Sequence, residues 1–352
     1  MVSAIIKGIG HYVPDQIVTN AELESIMDTS NEWIVERTGI EERRMAGRFK
    51  ETTTTMGAIA AQRAIDNAGI KKEDVDFIIF ATLSPDYYFP GCGVLVQRML
   101  GINHLEMGAL DIRNQCSGFI YGLSIGDQYI QTGKYKNILV IGSETHSMGL
   151  DYTTRGRDIS VIFGDGAGAV ILQPTEEDGR GIIHTNLHAD GAYAEKLAFV
   201  NPGSHGGYHD EDKDKFGFSN EDFSPVFLTD KMMKDGLTYP YMDGKYVFKY
   251  ALTKFPETIV EALEKSNKTI SDLKLFIPHQ ANLRISQMIQ KMMGLKDEQV
   301  FNNIQKYGNT TAASIPIALS EAYEEGKFKE GDLILLSAFG SGFTWGSALI
   351  NW

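Results

Sequence analysis

"AIDNAGIKKEDVDFIIFAT", residues 64–82, is matched in kind by "ALEKSNKTISDLKLFIPHQ", residues 262–280. Each runs from the end of a helical pattern through a short polar link and an aspartate into an apolar run. The two are offset by 198 positions. A second pair keeps the order: "GKYKNILVIGS" from Gly133 and "GKFKEGDLILLSA" from Gly326, offset by 193. A glycine closing a helix before a buried strand is the punctuation of an α/β unit. Two such pairs in the same order predict an internal duplication, with halves over residues 1–180 and 181–352.

Working outward, short apolar runs predict strands at Asp76–Ala81, Asn137–Ile141, Ser160–Phe163, Ala169–Leu172, Leu275–Ile277 and Asp332–Ser337. Three- and four-residue apolar steps predict helices at Thr54–Ala68, Gly118–Gln131, Lys254–Ser266, Leu283–Met293 and Ile315–Glu325. The alternation predicts a layered α/β protein with buried, largely parallel sheet. Residues 201–241 break the pattern with the polar, glycine-rich "GSHGGYHDEDKDKFGFSNEDFSP". They read as a long excursion, with a short helix in "LTDKMMKDG".

The duplication carries a functional expectation. An offset of 193 takes Cys116 to Asn309, and the strand end at Ala81–Thr82 corresponds to His279–Gln280. Halves related by a pseudo-twofold axis would bring Cys116, His279 and Asn309 to one centre. Cys116 stands just before Ser117 and Gly118, which open a helix. Oriented N–H groups and the positive helix end favour a thiolate there and predict a lowered thiol pKa. The bland alternative is a small buried hydrophobe. His279 follows Pro278 at a strand end, a setting for an acid, a base or a hydrogen-bond donor, or for a plain loop histidine. Asn309 suits either a helix cap or an amide donating to a substrate oxygen. In "FGSGFTWG", flexible backbone allows the Ser341 N–H to partner the Cys116 N–H as an oxyanion hole.

Bulk properties narrow the field. The 352 residues carry a formal charge of −13, which opposes nucleic acid and anionic membrane while leaving room for a local basic patch. Two cysteines argue against a disulfide scaffold and for a reducing compartment. No Cys/His spacing suits a metal. The start lacks a signal-peptide pattern and no run reaches membrane-spanning length, so a cytoplasmic location is expected. "IFGDGAGAVIL", residues 162–172, lacks the Lys-Ser/Thr of a nucleotide loop and reads as a tight turn between neighbouring strands. "GIGHYVP" at Gly8 is too little for a dinucleotide loop.

Six segments together resemble the thiolase-like condensing enzymes, specifically the 3-oxoacyl-[acyl-carrier-protein] synthase III family. They are "NEWIVERTGI" (31–40), "DIRNQCSGF" (111–119), "FGDGAGAV" (163–170), "PHQANLRI" (278–285), "YGNTTAAS" (307–314) and "FGSGFTWG" (339–346). The resemblance covers the whole chain apart from the excursion. It implies a duplicated α-β-α-β-α fold with pseudo-twofold halves and a Cys116–His279–Asn309 site. Cys116 would take an acyl group from acyl-CoA. His279 and Asn309 would then assist decarboxylation of malonyl-acyl carrier protein, giving a 3-oxoacyl product that initiates fatty-acid synthesis. No cofactor is implied. Trp33 would stack on the CoA adenine, with Arg37 and Arg157 near the nucleotide and Arg284 at a basic entrance for CoA and carrier protein. In a homodimer, Phe89 would reach the partner's acyl pocket. Arg113, Asn114 and Gln115 replace the family's usual small residues, and Ser341 replaces a glycine. With the excursion, these departures motivate the alternative: a specialised synthase taking longer or unusual primers in polyketide, quinolone or alkyl-ketone synthesis.

Overall fold

The computed structural model describes residues 2–47, 50–203, 228 and 230–352. In chain order the strands are β1 (Ser3–Tyr12), β2 (Ile17–Thr19), β3 (Glu42–Arg44), β4 (Phe77–Ala81), β5 (Gly108–Ile112), β6 (Ile138–Glu144) and β7 (Gly166–Thr175), followed by β8 (Gly181–Ala189), β9 (Leu197–Ala198), β10 (Tyr241–Met242), β11 (Leu273–Pro278), β12 (Leu333–Gly340) and β13 (Thr344–Asn351). One sheet has the order β1-β7-β6-β4-β5 and the other β11-β12-β13-β8, while β2-β3 and β9-β10 are small separate pairs.

Strand periodicity builds the layers. In β4 and β6, Ile79, Ile138 and Val140 face one cluster, while Ile78, Phe80, Leu139 and Ile141 face another. In β11 and β12, Leu275, Ile277, Ile334 and Leu336 join the first cluster, and Phe276 and Leu335 face a third. The shared cluster is the central layer. It holds Phe119, Ile120 and Leu123 of the helix Gly118–Gln131 and Ile315 and Leu319 of the helix Ser314–Glu324. Outside the first sheet lies Thr53–Ala68, and outside the second lies Gly244–Lys265. Both sheets are therefore covered on two faces, which is why their strands read as unbroken apolar runs. Gly122 sets the spacing of the central layer: a Cβ there would lie 2.8 Å from Val140 Cγ1.

The helices expected at Gly118–Gln131 and Leu283–Met293 have those bounds. Four expectations are corrected. The sheets are mixed rather than largely parallel: β4 pairs parallel with β5 and β6, and β11 with β12, but β1-β7, β6-β7, β12-β13 and β8-β13 are antiparallel. Antiparallel strands such as β12 and β13, joined by a short turn, escape a reading built on helix–strand alternation. Ser160–Phe163 is not a strand. Arg157–Ser160 is a short helix, Val161 and Ile162 pack against Val18, Ile34 and Ile304, and Phe163 makes only an isolated bridge to Asn309. "IFGDGAGAVIL" accordingly leads from that helix into β7 instead of turning between strands. Finally, the helix read from Lys254 begins at Gly244, where the Asp243 side chain accepts the Tyr246 N–H; the interior Pro256 hid this earlier start.

Most of the excursion, residues 204–227 and 229, lies outside the described residues. Its described part includes Asp230–Lys234, a short helix as expected, and β10, which pairs with β9.

Candidate functional site

The C-terminal ends of β4, β5, β6, β11 and β12 meet at one cavity of about 960 Å³, together with the turns that open the central helices. Its lining includes Cys116, His279, Asn309 and Ser341 at the inner end, and Trp33 and Arg284. Openings at strand C-termini are where layered α/β sheets place ligands.

Cys116 lies in the 3₁₀ turn Gln115–Ser117, between β5 and the central helix Gly118–Gln131. Gln115 holds φ at +46° to make that turn. The strand β12 ends against it: a Cβ on Gly340 would lie 2.6 Å from the cysteine Cβ and 3.1 Å from Sγ, so only glycine fits. Burial pushes the thiol up to about 12, the Glu144 charge adds to that, and the backbone N–H groups of Cys116 and Ser341 pull the other way. The expected lowering of the thiol pKa is thus reversed, because desolvation outweighs the donors.

His279 continues β11 past Pro278, and its N–H donates to the Ser337 carbonyl at 2.8 Å. The ring is buried, with Nδ1 2.7 Å from Ser314 Oγ. Ser314 Oγ accepts the Gln280 N–H at 3.4 Å, so its own hydrogen is free to donate to Nδ1. With the hydroxyl donating in this way, the ring proton stands on Nε2, which is buried with no hydrogen-bond partner among the described residues. Burial, and then the neighbouring His146, bring the pKa down to about 3, so the ring is neutral near pH 7.

Asn309 is anchored by its backbone: its N–H donates to the Ile162 carbonyl at 2.9 Å, and its carbonyl accepts the Gly164 N–H at 3.1 Å. The side-chain Oδ1 accepts the Thr311 N–H at 2.8 Å. The capping and donating roles therefore use opposite ends of one amide, and Nδ2 is the end left for a ligand.

The outer wall carries the predicted basic and aromatic groups. Trp33 sits in the helix Asn31–Thr38, whose Ser30 cap accepts the Trp33 N–H at 3.1 Å. The Arg37 and Arg157 guanidinium carbons lie 4.5 and 5.4 Å from its ring centroid. Arg37 and Arg284 line the cavity; Arg157 instead donates to the Asp28 carbonyl at 2.7 Å, beside the tryptophan rather than on the cavity wall. Phe89 is 81% exposed, next to exposed Tyr87 and Tyr88, and does not line this chain's own cavity. Among the described residues no cluster of three His, Cys, Asp or Glu side chains suits a metal ion.

Sequence reading missed two buried ionisable groups just beyond the apolar core of β6. Glu144 accepts hydrogen bonds from Thr82 Oγ1, the Leu83 and Ser84 N–H groups and Ser84 Oγ. Burial raises its carboxyl to about 7 against those donors. His146 lines the cavity with its ring 4.7 Å from that of Phe163. The signal available was "GSETHS", residues 142–147: titratable residues at the C-terminal end of a buried strand.

Comparison with known proteins gives the family. A profile described as 3-oxoacyl-[acyl-carrier-protein (ACP)] synthase III matches residues 110–191, and its C-terminal counterpart matches 263–352. The beta-ketoacyl-[acyl-carrier-protein] synthase III of Coxiella burnetii is 42% identical over 351 residues, covering 100% of both chains. That of Yersinia pestis is 43% identical over 346 residues, covering 98% of each. The crystal structure of 3-oxoacyl-[acyl-carrier-protein] synthase III from Aquifex aeolicus superposes with a TM-score of 0.85 at 42% identity, covering 99% of this chain and 100% of that one. The duplicated fold, the cavity at its centre and this full-length similarity lead to one conclusion: the chain belongs to the 3-oxoacyl-[acyl-carrier-protein] synthase III family.

Proposed function

We propose that this acyltransferase condenses an acyl-CoA primer with malonyl-acyl carrier protein through an acyl group held on Cys116. The observation that carries the assignment of roles is the pairing in one cavity of a buried thiol with two donor ends left open, His279 Nε2 and Asn309 Nδ2. Cys116 Sγ attacks the primer thioester; the carbon–sulfur bond to CoA breaks, and the thiol proton ends on the departing CoA sulfur. A thioester made this way remains a good leaving group for the second step. Malonyl-carrier protein then loses carbon dioxide. The enolate oxygen that develops takes hydrogen bonds from His279 and Asn309, which stabilise charge present only after decarboxylation begins. The carbanion attacks the acyl carbon, the oxyanion formed there meets the Cys116 and Ser341 N–H groups, and the cysteine leaves and is reprotonated.

Beyond the two thioesters and these side chains the step takes up one proton, which reaches the released cysteine sulfur from water. Neutral histidine serves it better than a cation: an N–H still donates, and no buried charge has to be maintained. Trp33, Arg37, Arg157 and Arg284 form the aromatic and basic approach for CoA and for an acidic carrier protein. Arg157 would turn from Asp28 to take part. Exposed Phe89 supports a homodimer in which it enters the partner's cavity. Among the described residues no helix is long and apolar enough to cross a membrane; a cytoplasmic enzyme fits this reading. The full-length relatives bear the name of the initiating synthase, so the specialised-pathway alternative is not favoured.

A direct test measures carbon dioxide release and 3-oxoacyl product together, with acyl-CoA and malonyl-carrier protein supplied. Equal amounts of the two products are expected. Decarboxylation without carbon–carbon bond formation, or acyl hydrolysis alone, would overturn the reading.

A further inference from the structure

His146 is a buried imidazole that the mechanism above does not use. It stands two residues beyond β6, in the first half of the chain, and only 7% of its surface is exposed. Its place is fixed from two sides: its N–H donates to Asp165 Oδ1 at 2.6 Å, and its carbonyl accepts the Gly149 N–H at 2.9 Å. Burial holds its pKa down at about 3, so the ring is neutral.

The ring reaches across to the second half. His146 Nε2 lies 2.6 Å from Thr311 Oγ1. The Thr311 hydroxyl has no other hydrogen-bond partner among the described residues, so this contact is the one that holds it. Thr311 is also strained. Its φ is +50°, a region that a β-branched residue rarely occupies without being held there. From that conformation its backbone N–H clamps Asn309 Oδ1 at 2.8 Å.

We propose that His146 is a positioning residue for condensation: by holding Thr311 in its strained turn it fixes which end of the Asn309 amide faces the substrate. Without the clamp, the amide is free to rotate by a half-turn, and an acceptor then replaces a donor where enolate charge develops. The inference rests on the role assigned to Asn309 above and adds a residue that the Cys–His–Asn reading does not contain.

The test separates the two half-reactions. His146→Leu is expected to slow malonyl-dependent release of 3-oxoacyl product about ten- to a hundredfold, as misplacement of a catalytic group does. Acylation of Cys116 by acyl-CoA, followed by intact mass, should stay within about threefold. His146→Gln, which keeps a hydrogen-bond partner for the Thr311 hydroxyl, should recover most of the lost rate. Thr311→Val breaks the same link from the other side and should reproduce the defect if the leucine variant does not fold. In an Asn309→Ala background, His146→Leu should cause no further loss, because it acts through an amide already gone. Equal slowing of both half-reactions, or an additive loss in that background, would overturn the proposal. If Asn309→Ala alone leaves condensation intact, it is the role of Asn309 that fails.

Discussion

The turn at Gln115–Ser117 and the turn at Thr311–Ala313 are the same device built twice. Each opens with a non-glycine residue at positive φ, +46° at Gln115 and +50° at Thr311. Each makes one 3₁₀ turn and enters a central helix. Those helices are followed by Gly133 and Gly326, at φ +69° and +65°. Each turn is pressed by a glycine from the other half: Gly340 against Cys116, and Gly142 against Ala312, whose carbonyl a Cβ would meet at 2.3 Å. The side chains differ. The first turn shows a thiol to the cavity; the second carries Ala312, 1% exposed and absent from the cavity wall. The two backbones are equivalent, and the side chains they carry are not. On the reading proposed above, the nucleophile belongs to one half, and the two donors of the other are tied to the ends of its turn, Asn309 to Thr311 and His279 to Ser314.

The largest expected effect tests whether backbone or side chain makes the nucleophile. Cys116→Ala should cost at least about 10⁴-fold in product formation. Adding Ala312→Cys should restore nothing, since a thiol in the second turn does not reach the cavity; acylation of the double variant, seen by intact mass, would break the contrast. Next, Asn309→Ala should slow condensation about a hundredfold while acylation of Cys116 proceeds, because it removes a donor used only in the second half-reaction. Steady-state and single-acylation rates measured side by side decide this.

The two pressing glycines give a finer comparison. A methyl on Gly340 strikes Cys116 itself, so Gly340→Ala should slow acylation about ten- to a hundredfold. A methyl on Gly142 strikes backbone away from the cavity, and Gly142→Ala should instead cost about 1–3 kcal/mol of stability, read by urea unfolding. If the two variants exchange phenotypes, the assignment of one turn to chemistry and the other to scaffold is wrong.

The smallest effect concerns the two neutral histidines, one from each half. Burial holds His146 and His279 near pKa 3 when folded, against the ordinary histidine value of 6.5. Below 6.5 the unfolded chain binds more protons, so their contribution to stability is complete above that pH and falls as pH drops towards 3. Each should cost about 2 kcal/mol between pH 7.5 and 5. His146→Leu should therefore lose less stability than the parent over that interval. An unchanged difference would mean that the ring is not kept neutral.

Much of this was legible in the sequence because it is local. Small residues after Cys116, a proline before His279 and glycines at helix ends are readable one segment at a time. The pairing between halves was less so. The landmark offset of 193 pointed from Cys116 to Asn309, and that of 198 from Ala81 to His279. The folded turns correspond at 196, the separation of Phe77 from Leu273, Gln115 from Thr311 and Gly118 from Ser314, which matches Cys116 with Ala312 and Arg113 with Asn309. The trio still lines one cavity because Asn309 and His279 are bonded to the two ends of the second turn, at Thr311 and Ser314, rather than occupying the cysteine's equivalent place. The sign of the thiol shift was unreadable: helix position is local, whereas burial depends on which strand covers the sulfur. His146 stayed hidden for the same reason, since its partner Thr311 is 165 residues away.

The central claim is that one half supplies the nucleophile and the other discharges it. Peptide mapping of the protein after exposure to acyl-CoA, before and after addition of malonyl-carrier protein, tests it most directly. A single acyl group on Cys116 is expected, one that vanishes as 3-oxoacyl product appears and persists in the Asn309→Ala variant. An acyl group on another residue, or discharge at the parent rate in that variant, would contradict it.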